Sequence, residues 1–329
     1  MSTTTRRQLL HASTAAALAA AAPCLRAQGH ADVIRILCGY PAGGSVDVVA
    51  RRLAQGLGKA LERPAIVENR PGAAGRLAVQ ALKGAAADGA SLLVTPGSVL
   101  TMYPHIYRPL GYDVFTDLAP VAMVASTGFC LAVGPAVPAS VQTLADFSAW
   151  CKLHPDQANC GNAGAGSFPH FMALLMARET GIALQHIPYR SGSAAMLALA
   201  GAQVSSAMAT EGAALALEQS GKLRVLATTA GRQSDFFPRA PGFASLGYPL
   251  LAQREWFALV APGGMPAPMQ EALAEQARGL LADPGVRETW GGLGLAVTTS
   301  TPADIRAALR REHDFWGPII QASGFTPDA

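Results

Sequence analysis

The chain has 329 residues and a mass of 33.9 kDa, enough for about two domains that each bury a core. Half of its residues are hydrophobic and 14% are charged, which excludes a natively unfolded chain. A net charge of +3 without a Lys/Arg cluster excludes a nucleic-acid binder, and 34 Gly with 23 Pro in no fixed period exclude collagen.

Residues 1–27 read as an export signal. A twin arginine, Arg6-Arg7, precedes Leu9-Leu10, an apolar run over 15–22 follows, and Leu25-Arg26-Ala27 offers a small residue for cleavage. The run is too short to span a membrane, so the mature chain is expected in the periplasm with no membrane insertion of its own. Cys24 suggests a lipoprotein anchor only weakly, because Pro23 precedes it. Losing Arg6, Arg7 and Arg26 leaves the rest formally neutral, so any anion must be held by local groups and not by a global field. Four cysteines remain. Cys38 and Cys130 read as buried strand residues, whereas Cys151 and Cys160 flank a polar loop, leaving a disulfide open in an oxidising compartment.

In chain order, 33–38 is a strand. Val46, Val49, Ala50, Leu53, Leu57, Ala60 and Leu61 then fall on one helical face, with Arg51, Arg52, Gln55, Lys59 and Glu62 on the other. A strand at 64–68, a turn-rich loop at 69–75, a helix at 77–83 and a strand at 91–94 complete a pattern that predicts a parallel sheet covered by helices. Residues 118–145 carry no charge, but Pro120, Gly128, Gly134, Pro135 and Pro138 break them into buried strands at 121–124 and 131–133. These mark the passage into a second domain. There the pattern predicts helices at 144–153, 171–179 and 194–200, and strands at 184–187 and 223–228. A strand at 256–260 returns to the first domain, and helices at 268–281 and 302–316 close it. The expected architecture is α/β with two lobes: 28–125 and 256–329 form one, 126–255 the other. Two crossings between lobes make a hinge with a cleft.

Three loops could carry chemistry. In Pro41-Ala42-Gly43-Gly44-Ser45-Val46-Asp47, between the first strand and helix, glycines allow close backbone approach. Ser45 is a candidate N-cap, Asp47 sits in the first turn, and free amides there can hold a carboxylate or phosphate. Gly161-Asn162-Ala163-Gly164-Ala165-Gly166-Ser167 precedes a helix in the other lobe. Thr95-Pro96-Gly97-Ser98 lies at the carboxyl edge of the first sheet, where open α/β folds bind ligands. Either these loops clamp a small anion from both sides, or they only cap their helices. His170 is the histidine placed to touch a ligand, or else a structural residue of its helix start. Trp256 and Tyr189 could wall a pocket, and Glu211 either faces the cleft mouth or caps the next helix. No nucleophile elbow, zincin motif or zinc spacing occurs, so neither catalytic residues nor a metal or cofactor is expected. The competing class is a secreted hydrolase with Ser45 or Ser98 as nucleophile and His170 as base.

Gly39-Tyr40-Pro41-Ala42-Gly43-Gly44-Ser45-Val46-Asp47-Val48-Val49-Ala50-Arg51 resembles the signature of the Bug family of extracytoplasmic solute receptors. The likeness continues through Val67-Glu68-Asn69-Arg70-Pro71-Gly72-Ala73-Ala74-Gly75, the second glycine loop with His170, His186-Ile187-Pro188-Tyr189-Arg190 and Trp256-Phe257-Ala258-Leu259-Val260-Ala261-Pro262. The resemblance implies a two-lobed periplasmic binding protein fold of type II and a small organic anion in the cleft. It also implies a monomer that delivers its ligand to the membrane subunits of a tripartite transporter. A receptor feeding a sensor kinase is the other outcome. Amides and hydroxyls, partly through water, would hold a ligand carboxylate. The implied ligand-binding set is Tyr40, Ala42, Gly43, Gly44, Ser45, Asp47, Thr95, Gly97, Ser98, Ala163, Gly164, Gly166, Ser167, His170 and Thr210. One departure matters: where members carry acids in a V-D-V-x-x-D-N pattern, this chain has Val204-Ser205-Ser206-Ala207-Met208-Ala209-Thr210. Without those acids, a non-amino carboxylate or small aromatic acid is expected.

Overall fold

The computed structural model describes residues 33–327, and the expected export signal lies outside them. The first segment alternates β1 (Ile34–Cys38), α1 (Ser45–Ala60), β2 (Ala65–Asn69), α2 (Arg76–Lys83) and β3 (Ser91–Pro96). Two short helices, α3 (Ser98–Thr101) and α4 (Tyr103–Ile106), lead to the long β4 (Leu118–Thr127). The next segment holds β5 (Phe129–Val133), α5 (Leu144–Leu153), β6 (Asn159–Asn162), α6 (Phe168–Thr180), β7 (Gln185–Pro188), α7 (Gly192–Ala200), β8 (Ser206–Thr210), α8 (Glu211–Gln219) and β9 (Arg224–Thr228). The last contains β10 (Glu255–Pro262), α9 (Ala267–Leu281), α10 (Pro284–Gly291), β11 (Ala296–Val297) and α11 (Pro302–Ser323).

Two sheets result, with orders β11-β4-β10-β3-β1-β2 and β7-β6-β8-β5-β9. In the first, β1, β2 and β3 are parallel, and β10 returns antiparallel between β3 and β4. The buried face of α1 sets that core: Val46, Val49, Ala50, Leu53 and Leu57 pack with Ile34, Ile36, Leu92, Val94 and Trp290. β10 is buried along its whole length, which explains its continuous apolar run.

The crossings lie side by side. Gly128 alone separates β4 from β5. A Cβ there would sit 2.6 Å from the carboxylate of Glu211, so any larger residue would have to displace that buried side chain. Glu255 at the start of the returning β10 pairs with Thr127 at the end of β4, while the Phe129 N–H donates to Thr229 Oγ1 at 3.0 Å and the Thr229 N–H to the Phe129 carbonyl at 2.8 Å, tying the start of β5 to the end of β9. Thr127 Oγ1 donates to the Gly294 carbonyl at 3.0 Å.

Three local readings differ from the periodicity. β6 and β8 were not legible as strands, because they are short and largely enclosed and so lack a clear apolar–polar alternation. α11 runs through Pro318 to Ser323, since burial of Ile319 and Ile320 outweighs the lost backbone bond. All four described cysteines are buried free thiols, so Cys151 and Cys160 are not bridged. No helix among the described residues is long and apolar enough to cross a membrane.

Candidate functional site

A cleft of about 590 Å³ opens between the two sheets, and all three segments contribute to its walls. From the first and last segments, which share one sheet, come Tyr40, Gly44, Ser45, Ala74, Pro96, Ser98, Tyr103, Tyr107, Thr127, Glu255 and Phe257. The second contributes Phe129, residues 163–169, Ser191, Gly192, Ser193, Ala209 and Thr210. No lysine, arginine or histidine is among them.

The first wall is built by a pair of loops in close contact. Gly39 passes so near Gly75 that a Cβ on it would lie 2.7 Å from the Gly75 Cα. This seats Tyr40 against Gly75 and holds Ala73 and Ala74 at φ 47° and 54°, a conformation non-glycine residues adopt at a cost. Gly43 turns the chain at φ 85° and Gly44 caps α1 with extended backbone. The first bond along the helix runs from the Val48 N–H to the Gly44 carbonyl at 3.0 Å. The amides ahead of it are free of intrahelical partners where Gly44 and Ser45 meet the cleft. Ser45 is the first helical residue and not the N-cap expected, because Gly44 already has the extended conformation a cap needs.

Asp47 is not at the cleft surface. Its side chain is 2% exposed and works behind the loop. Oδ2 accepts from the Gly43 N–H at 2.9 Å and from Arg51 Nε at 2.8 Å, and Oδ1 accepts from Asn69 Nδ2 at 2.8 Å. Asn69 Nδ2 also donates to the Tyr40 carbonyl at 3.0 Å. Burial alone would raise the Asp47 pKa, yet the bonds from Arg51, Gly43 and Asn69 outweigh it and hold the carboxyl below its ordinary value. Asp47 and Asn69 thus fix the loop that displays the amides.

Across the cleft, Gly164 and Gly166 take φ 86° and 75°, and Ser167 caps α6. Ser191 caps α7 through a bond from the Ala194 N–H at 3.1 Å. Two helix starts of the second segment therefore meet the same space as the start of α1. His170 lies beneath this loop, 4% exposed. Its Nδ1 accepts from the Gly166 N–H at 3.0 Å, and its ring stacks on His186 with centroids 3.8 Å apart. Burial, with His186 adding to it, pushes its pKa down to about 4. It lies outside the cleft lining that holds Ser45 and Ser98, so the structure does not place it as the base a serine hydrolase would need beside either serine.

Ala42 and Gly43 are exposed on the same loop but outside the lining. Thr95 is buried in β3, and the Gly97 N–H donates to the Trp256 carbonyl at 2.7 Å, so both act in the floor's scaffold. Trp256 and Tyr189 lie outside the lining, and Glu211 is wholly buried at the start of α8. Conversely, sequence reasoning missed Tyr103, Tyr107, Ser191, Ser193, Phe257 and Glu255. Ser191-Gly192-Ser193 ahead of an apolar helix carried a legible cap signal. Glu255 carried none, because it reads as the polar edge of a strand. It is 7% exposed, and its Oε1 accepts from the Ser98 N–H at 3.0 Å.

The model for the tripartite tricarboxylate transporter family receptor matches residues 49–325. The chain belongs to that family. Protein BugT of Bordetella pertussis is 32% identical over 292 residues, covering 88% of this chain and 89% of BugT. The solved periplasmic binding protein BugD superposes with a TM-score of 0.76 at 25% identity, covering 90% of this chain and 99% of BugD. MatC of Rhodopseudomonas palustris, solved with bound malate, gives a TM-score of 0.73 at 25% identity, covering 88% of this chain and 98% of MatC. This protein is thus a two-lobed solute-binding receptor of the periplasmic binding protein type, and the hydrolase reading falls away. Helix starts from both sides line its cleft.

Proposed function

We propose that the mature protein is a periplasmic monomer that captures a small organic acid between its lobes and presents it to the membrane subunits of a tripartite transporter. In this reading 28–125 and 256–329 move as one lobe and 126–255 as the other. The observation that carries it is a cleft walled by helix starts and hydroxyls from both sides with no basic side chain. Oriented amides stabilise a carboxylate through partial charge and direct hydrogen bonds, and they remain in place when the cleft is empty. Closure follows because a ligand touching Ser45 and Ser98 on one side and Gly166, Ser167 and Ser193 on the other gains contacts only when the walls approach. Malate in MatC supports a carboxylate as the ligand class.

The second wall narrows the choice. Ala209 and Thr210 stand where an acid could meet an ammonium group, and Phe129 and Phe168 add apolar surface, as Phe257 does on the other side of the cleft. A non-amino carboxylate or a small aromatic acid fits this wall. Calorimetric titration with malate, citrate, benzoate and aspartate tests the reading. Binding of one of the first three in preference to aspartate is expected; tight aspartate binding with none of the others refutes it.

A further inference from the structure

Among the described residues, the carboxyl of Glu255 is the one formal charge in the cleft lining, and it has the sign of the proposed ligand. From α3, the Ser98 N–H donates to Oε1, and the Ser98 hydroxyl is also bonded to the carboxyl. Tyr40, in the loop after β1, and Tyr103 of α4 both face it, with their hydroxyls hydrogen-bonded to each other and their own ionisation suppressed by burial. Thr127 of β4 pairs with it across the sheet. Glu312 of α11, which accepts from Trp256 Nε1 at 2.7 Å, is a second acid whose charge bears on it. Arg76 packs over the Tyr107 ring, 3.8 Å from its centroid, and is not in the lining. Asp47 is bound to Arg51, and His170 is turned under the opposite loop.

We propose that Glu255 takes up a proton from solvent as the acid enters, so that ligand capture and protonation of this carboxyl are one coupled event. The inference rests on the carboxylate reading above. An anion in the cleft sits beside a carboxyl that is already buried, with no cation among the described lining residues to offset it. Ionised, Glu255 would repel the ligand across a space emptied of water; protonated, it becomes a hydrogen-bond donor to a ligand oxygen. The proton required is modest, because burial, opposed by Ser98 and aided by Glu312, already pushes the pKa up to about 7. The ligand's charge raises it further. The bound form therefore holds more protons than the free form above pH 7, and affinity falls as pH rises through that range. The consequence for specificity is that Glu255 admits acids most readily near or below neutrality. A ligand bearing an ammonium group would instead expel the proton.

Titration calorimetry of malate, citrate and benzoate at pH 7.5 to 8, in buffers of differing ionisation enthalpy, measures the proton count. For a bound-state pKa one to two units above the free one, linkage gives an uptake of about 0.4 to 0.8 proton per ligand. The dissociation constant should weaken by up to about tenfold per pH unit above 7. Glu255→Gln keeps an oxygen for the Ser98 N–H and a permanent donor, so it should bind without proton uptake, and at pH 8 more tightly than wild type. Glu312→Gln should retain the uptake, shifted to lower pH. Binding without proton uptake in the wild type overturns the coupling, as does equal uptake in Glu255→Gln. A folded Glu255→Gln protein that no longer binds also overturns it, because the carboxylate would then be accepting from the ligand. If no acid of the panel binds at any pH, the carboxylate reading itself falls and takes the coupling with it.

Discussion

Replacing Asp47 separates building a binding loop from touching its ligand. The carboxylate takes three hydrogen bonds at 2.8–2.9 Å, from Gly43, Arg51 and Asn69, with its side chain 2% exposed. Asparagine has the same shape but only one acceptor oxygen. It can satisfy either Asn69 or the Gly43–Arg51 pair, and its amide then faces a donor on the other side. Losing one charged hydrogen bond of this kind costs about 1.5–3 kcal/mol. The second effect is on binding. With Gly43 released, the 41–44 loop must be ordered again when ligand arrives, at about 1 kcal/mol or more per residue. Two such residues weaken affinity by about thirtyfold. Chemical denaturation should therefore show Asp47→Asn destabilised by roughly 2 kcal/mol, and calorimetry should show weaker but measurable binding of the same acid. An Asp47→Asn protein as stable as wild type that binds nothing would mean that Asp47 meets the ligand directly. The pH dependence has a defined sign: the native carboxyl lies below its ordinary value, so its contribution is present above about pH 4 and lost as pH falls through the native pKa.

Gly97→Ala should be destabilising and should weaken binding, because its Cβ would lie 2.5–2.7 Å from Trp256 ring atoms and the ring is held by Glu312; unchanged thermal stability and affinity would contradict the packing described. His170 has a native pKa of about 4 against an ordinary value near 6.5, so the stability it confers is full above about pH 6.5 and drains away as pH falls toward 4. His170→Asn keeps an acceptor for the Gly166 N–H and should flatten this part of the stability–pH curve, as read by thermal melts between pH 4 and 7. Thiol titration of the mature protein should find Cys38, Cys130, Cys151 and Cys160 unreactive when native and all reactive after denaturation without reductant; two of them staying silent would reveal a Cys151–Cys160 bridge.

The strand–helix alternation of the first segment was legible because its elements are amphipathic or continuously apolar at recognisable lengths, and α5 matches its periodic bounds. The glycine loops were legible too, since positive φ at Gly43, Gly164 and Gly166 restricts the residue type locally. Which polar groups of those loops face a ligand was not local. Asp47 and His170 sit within the motifs yet point inward, because each meets a backbone N–H, of Gly43 and Gly166, that would otherwise be orphaned. Glu255 and Tyr103 reach the cleft only because β10 returns beside β3 and the chain folds over after Ser98. Sequence alone determines elements whose signals lie within a few residues. The inventory of the cleft depends on pairing between segments more than a hundred residues apart, and only the tertiary structure decides which polar atom is turned to solvent and which is spent holding the loop.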